Sequence, residues 1–138
     1  MPFLLDTDTA SLAFNKNERV RTRIRQVPPA EVWLSGIAAE ELTRGALIVI
    51  SQNRDKIGMV PAHNFFVRSL VSICEYRIHP YNEEAALVYA SFSARVKRLG
   101  AQDCRIAASA IAAGWTVVTA NYRHFSQIPG VQFEDWSR

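Results

Sequence analysis

Phe3-Leu4-Leu5-Asp6-Thr7-Asp8-Thr9-Ala10-Ser11 opens on three apolar residues and then turns abruptly polar. So short a run, ending at Asp and Thr, reads as a buried strand that stops at a turn, with a helix starting near Thr9 or Ser11. The same pattern recurs downstream. Residues 31–35 (Glu-Val-Trp-Leu-Ser) and 115–119 (Trp-Thr-Val-Val-Thr) read as strands, with shorter ones expected within 73–78 and at 131–133. Helical spacing fills the gaps. Val20, Ile24 and Val27 fall at i, i+4 and i+7 and predict a helix over 17–27, stopped by Pro28 and Pro29. A long helix is expected over 36–52, where Gly45 suggests close packing against a neighbour. Pro61 suits the first turn of a helix running to about 71. Another helix is expected from 81–84 to about 98, followed by a connection at 99–102. Asp103 then begins an alanine-rich helix ending at Gly114. Strands alternating with helices predict a parallel α/β sheet covered on both faces, with any site at the carboxyl ends of the strands.

The bulk numbers set limits on this reading. The chain has 138 residues, enough for one compact domain, and 49% are hydrophobic, enough to build a core. No apolar run approaches the roughly 18 residues that span a bilayer, and Asp6 interrupts the N-terminus too early for a signal peptide. A cytoplasmic protein without membrane contact is expected. Cys74 and Cys104 lack metal-ligand spacing and sit among apolar neighbours, so both are read as reduced core thiols. The formal charge of +3 suits a polyanionic partner without requiring one. Basic residues cluster at Arg19, Arg21, Arg23 and Arg25, and again at Arg95, Lys97 and Arg98. Their meaning depends on where they lie relative to the acids.

Four polar residues stand where such a sheet would place a site. Asp6 ends the first strand, Glu41 lies in the early turns of the helix after the second, Asp103 opens the alanine-rich helix, and Asn121 follows the strand ending at Thr119. Singly, each has an ordinary reading: a cap, a turn residue or a solvated helix position. Together, carboxylates gathered without basic partners would repel one another unless a cation neutralised them. Hard oxygen ligands suit Mg2+ (or Mn2+), which can activate water against a phosphodiester.

These segments resemble the PIN-domain ribonucleases, and within them the VapC-type toxins of toxin–antitoxin pairs. Leu4-Leu5-Asp6-Thr7-Asp8-Thr9-Ala10-Ser11 resembles the family's opening motif. Ser35 to Gly45, with Glu41-Leu42, resembles the second, and Gln102-Asp103-Cys104-Arg105-Ile106-Ala107-Ala108 the third. Val117-Val118-Thr119-Ala120-Asn121-Tyr122-Arg123-His124-Phe125, with Glu134-Asp135-Trp136 beyond, resembles the fourth and the tail. The resemblance implies one PIN domain over 1–138, a three-layer α/β/α fold with a short, mostly parallel central sheet. It implies a divalent-metal-dependent endoribonuclease, a homodimer or higher even oligomer, and a cognate antitoxin protein. Asp6, Glu41 and Asp103 match the metal-binding acids and Asn121 a fourth position that is Asp or Asn. Thr7 and Ser11 match small polar residues near the site. Two departures stand out: Asp8 where Asn is common, read as a helix cap, and His124 where many relatives carry an acid, read as a surface histidine.

Two other readings compete. One is a catalytically silent PIN fold acting as a binding module, kept open by the uncharged fourth corner. The other is a haloacid-dehalogenase-like phosphatase using Asp6 in an Asp-x-Asp pair, which the absence of the expected downstream lysine and paired acids disfavours. An RNA substrate would need backbone contacts from Lys and Arg beside the acids, with Arg105 and the Arg19–Arg25 segment as candidates. An antitoxin helix could lie in a groove near the early helices, with Phe14, Trp33, Phe65 and Phe66 as candidate lining, although core packing is the plainer reading for most of them.

Overall fold

The computed structural model describes residues 1–138. Chain order is β1 (Phe3–Leu5), α1 (Thr7–Phe14), α2 (Glu18–Gln26), a 3-10 turn at Pro29–Glu31, β2 (Val32–Ser35), α3 (Gly36–Gln52) and α4 (Met59–Cys74). There follow β3 (Arg77–His79), α5 (Glu83–Ser91), α6 (Ala94–Lys97), α7 (Ala101–Ala113), β4 (Thr116–Val118), α8 (Tyr122–Phe125) and β5 (Gln132–Glu134). All strand pairs are parallel, in the order β3-β2-β1-β4-β5, with Phe3 opposite both Val32 and Thr116. The expected mostly parallel sheet is therefore entirely parallel.

Parallel crossovers are right-handed, so the direction of travel decides which face a helix covers. From β1 to β2 to β3 the chain moves one way, placing α1–α4 on one face. From β3 over to β4 and β5 it moves the other way, placing α5–α8 on the opposite face. Leu4, Leu5, Leu34, Val117 and Val118 are wholly buried between these layers. That double coverage is why the central strands read as continuous apolar runs rather than alternating ones. The edge strands Arg77-Ile78-His79 and Gln132-Phe133-Glu134 carry polar residues, as exposed edges do.

Several boundaries differ from the sequence reading, each for a local reason. Helix α1 begins at Thr7 because Asp6 itself is the N-cap, its side chain accepting from Thr9 N. The strand expected within 73–78 shrinks to three residues, because Ile73 is buried on the helical face of α4 together with Ala62. The helix expected up to residue 98 breaks in two. Buried Phe92 is extended there, and the Ser93 side chain caps the new start by accepting from Val96 N. Helix α7 begins two residues before Asp103 and ends as expected at Gly114, whose φ of 74° is the left-handed cap that glycine favours. Gly36 has a different role. A Cβ there would sit 2.8 Å from the His79 carbonyl oxygen, so only glycine lets the start of α3 abut the end of β3.

Candidate active site

In an open parallel sheet, a crevice forms where adjacent strands send their connections to opposite faces. Here that point lies between β1 and β4. Asp6 follows β1 directly, and Thr119 and Asn121 follow β4. Asp6 N donates to Val118 O at 3.1 Å, which ties the two strand ends together. The Thr9 hydroxyl adds a second tie to Val118 O at 3.0 Å.

Asp6 is 2% exposed. Its Oδ1 accepts from Thr9 N at 2.9 Å, and the Thr119 hydroxyl also lowers its pKa by hydrogen bonding to the carboxylate. Burial still wins: it raises the Asp6 carboxyl to about 6, against the lowering effect of these hydrogen bonds. No Lys or Arg forms an ion pair with Asp6, Glu41 or Asp103. A buried carboxylate without a cationic neighbour is poorly compensated, and an oxygen-lined corner of this kind suits a hard divalent ion.

The other predicted residues join by hydrogen bonds. Thr7 Oγ1 donates to Glu41 Oε1 at 2.5 Å, fixing α3's acid beside the first turn of α1. Asn121 N donates to Thr119 Oγ1 at 2.9 Å, and Asn121 Nδ2 donates to Asp103 Oδ2 at 3.1 Å. The same amide nitrogen lies 2.9 Å from His124 Nδ1, and that ring nitrogen lies 3.3 Å from Asp103 Oδ2. Asn121 and the His124 ring thus both contact the Asp103 carboxylate and each other. The fourth corner is an amide and an imidazole bracketing Asp103 rather than another carboxylate.

A chain of contacts therefore links Asp6, Thr119, Asn121, Asp103 and His124, and a second links Thr7 to Glu41. No three acidic, imidazole or thiol groups close around a common point. Carboxylate and hydroxyl oxygens without a Lys or Arg partner are the donor chemistry that suits a hard divalent ion such as Mg2+.

Some expectations need correction. Asp8 does not cap α1; it is an exposed first-turn acid whose charge pushes the Asp6 carboxyl slightly further up. Cys104 is a core thiol, its Sγ donating to Val96 O at 3.3 Å, but Cys74 is exposed at the end of α4. His124 belongs to the site instead of the general surface. Ser11 lines a groove with Phe14, Leu42 and Phe65, beyond the acids. Trp33 is not in that groove; it packs against His79 and Trp115. Sequence reasoning passed over Thr9 and Thr119 as site residues, because a threonine at a strand end or in a first helical turn is unremarkable until the two ends meet.

Comparison with known proteins extends the picture. The family model for the PIN domain matches residues 3–131. The chain is 31% identical to the tRNA(fMet)-specific endonuclease VapC of Salmonella typhimurium, covering 99% of this chain and 98% of that protein. It is 29% identical to Toxin FitB of Neisseria gonorrhoeae, covering 96% and 97% respectively. Among solved structures it is similar to a chain of DNA-bound VapBC from Salmonella typhimurium, with a TM-score of 0.79, 28% identity and coverage of 99% and 98%. It is also similar to a chain of FitAB bound to a DNA fragment, with a TM-score of 0.72, 27% identity and coverage of 99% and 96%.

Proposed function

This chain belongs to the PIN-domain family, in its VapC-type branch, and from that premise we propose that it is a divalent-metal-dependent endoribonuclease, the toxin of a toxin–antitoxin pair. The observation that carries the metal reading is Asp6, a buried carboxylate with no cationic partner, at the point where β1 and β4 diverge. Asp6, Glu41 and Asp103 would hold Mg2+ (or Mn2+). When bound there, the ion supplies a water of lowered pKa and polarises the phosphate.

The remaining groups hold these acids in place. Thr9 N and the Thr119 hydroxyl hold the Asp6 carboxylate. With its carboxyl near 6, Asp6 is ionised about ten to one at pH 7 and ready to ligate. Thr7 orients Glu41, and Asn121 holds Asp103 while capping α8. The His124 ring faces Asn121 and Asp103 through Nδ1, which leaves Nε2 for a phosphate oxygen of the substrate. The PIN-domain match over residues 3–131 disfavours the haloacid-dehalogenase-like phosphatase.

The groove of Ser11, Phe14, Leu42, Phe65 and Arg68 between α1, α3 and α4 suits an apolar antitoxin helix. It starts one turn beyond Thr7 and beside Glu41, so a helix lying in it could extend a basic side chain towards the acids. A homodimer, one PIN domain over 1–138 and a cytoplasmic location complete the reading. No helix is long and apolar enough to cross a membrane.

The test is cleavage of single-stranded and structured RNA by purified protein. Cutting should require Mg2+ or Mn2+ and stop in EDTA. Asp6→Asn and Asp103→Ala should each lower the rate by at least about 100-fold, the scale on which removing a group that stabilises the transition state acts. Cutting that survives in both variants would rule out the carboxylate assignment. A wild-type protein that folds, binds Mn2+ and never cuts RNA would be the silent binding module.

A further inference from the structure

Beside the acid rim lies a second polar recess. Ile37, Glu40, Arg44, Tyr81, Gln102 and Arg105 line an open cleft of about 480 Å³ between α3, α7 and the chain after β3. The volume lies within the roughly 300–1,000 Å³ typical of small-ligand sites. Two of its residues are chain neighbours of the site acids: Glu40 precedes Glu41, and Gln102 precedes Asp103. Successive helical residues point about 100° apart, so each helix offers one acid to the rim and the adjacent side chain to the cleft.

The lining is pre-oriented. Arg105 Nη1 donates to Gln102 Oε1 at 2.7 Å, and its guanidinium stacks 4.9 Å from the Tyr89 ring centre. Gln102 Nε2 donates to Glu40 Oε1 at 3.5 Å, and Arg44 pairs with the other Glu40 oxygen. The Gln102 amide is thus held at both ends, with one amide hydrogen and one oxygen lone pair uncommitted. Arg44 remains well exposed, leaving guanidinium hydrogens free. Tyr81 adds an aromatic ring that is half-buried against the core and lines the cleft. Two guanidinium groups, one ring and one oriented amide are the groups that grip an unstacked nucleotide. Cations take the phosphate, a ring takes the base face, and an amide takes a base edge.

We propose that this cleft binds one unstacked RNA nucleotide flanking the scissile phosphate, with its base on Tyr81, its edge on Gln102 and its phosphate on Arg44 and Arg105. The proposal rests on the nuclease reading for the word scissile, but not for the binding itself.

It is tested by fluorescence anisotropy of a fluorescein-labelled, mixed-sequence single-stranded RNA octamer in EDTA, with cleavage in Mn2+ measured separately. Tyr81→Leu should weaken binding roughly tenfold, and Tyr81→Phe should restore it. Arg44→Ala and Arg105→Ala should each reduce the slope of log K against log salt by about one. In cleavage, these variants should raise KM while leaving kcat within about twofold, and Gln102→Ala should relax the base preference beside the cut. Arg44 is exposed, so its variant reports even if Tyr81→Leu fails to fold. Wild-type binding lost in the variants, with no cleavage by any form, would sustain the subsite and overturn the nuclease reading. Cleavage by the wild type with binding and KM unchanged in all variants would overturn the subsite alone. So would absence of saturable wild-type binding in EDTA.

Discussion

Asp6 serves as helix cap, strand-end tie and proposed ligand, and these roles do not agree energetically. Its carboxyl titrates near 3.8 when unfolded and at about 6 when folded. Between those values the native state binds more protons than the unfolded state, so stability must fall as pH rises through that window and level off above 6. A shift of about two pH units corresponds to roughly 3 kcal/mol at neutral pH. Asp6→Asn removes the charge but keeps an oxygen to accept from Thr9 N, and Asn caps helices about as well as Asp. In EDTA at pH 7 the variant should therefore melt several degrees above the wild type. Near pH 4, where the native carboxyl is already protonated, the two should melt together. Millimolar Mn2+ should raise the melting temperature of the wild type but not of Asp6→Asn, because only the former gains by mass action. An Asp6→Asn protein that is less stable at pH 7 in EDTA would refute the account of the site as an uncompensated buried charge. At this scale the acids were legible in sequence, since strand ends and helix starts are readable from periodicity. Thr9, Thr119 and His124 were not, because their roles exist only once β1 and β4 are neighbours. That adjacency is set by a crossover through more than a hundred residues.

The helices show the same division between local and non-local information. Gly114 was readable as a cap because the left-handed conformation is a local demand. Gly45 was misread: a Cβ there would meet no atom within 4 Å, so no tight neighbour explains it. Gly36, its counterpart at the start of α3, does have the tight neighbour, and nothing in the local sequence distinguishes the two. The two glycines should therefore respond to alanine in opposite directions. Gly45→Ala should stabilise by about 0.5–1 kcal/mol by restoring helix propensity. Gly36→Ala should destabilise by about 1–3 kcal/mol, because its methyl meets the His79 carbonyl rather than a flexible side chain. Urea midpoints at constant m-value would read both signs, and equal effects would show that the close approach of α3 to β3 is not what selects glycine. The same logic explains the break at Phe92. Ser93 can cap a helix wherever one starts, but the burial of Phe92 that stops the first helix comes from the surrounding core.

For the whole molecule, the open question is what covers the apolar residues that the fold leaves outside. Leu47 and Ile48 on α3, and Val60, Phe65, Val67 and Val71 on α4, are all more than a third exposed. A concentration of this kind on one helical pair marks an interaction surface more often than a solvated face. Phe65 also joins Phe14 and Leu42 in the groove that leads to the acids. An antitoxin helix seated there would bury the ring and block the site in one step. Phe65→Glu would put a charge into that contact while leaving Asp6, Glu41 and Asp103 untouched. Burying a phenylalanine contributes about 1.5–3 kcal/mol, so even partial loss should weaken antitoxin binding at least tenfold. Metal-dependent RNA cleavage by the free variant should match the wild type, but it should escape inhibition at antitoxin concentrations that silence the wild type. Titration calorimetry with the protein encoded beside this gene would give the affinity, and a parallel cleavage assay would give the inhibition. Unchanged affinity together with unchanged inhibition would place the antitoxin elsewhere and leave the α3–α4 surface to a second copy of this chain. Sedimentation would then show that assembly as a species above 15.5 kDa that Phe65→Glu disperses.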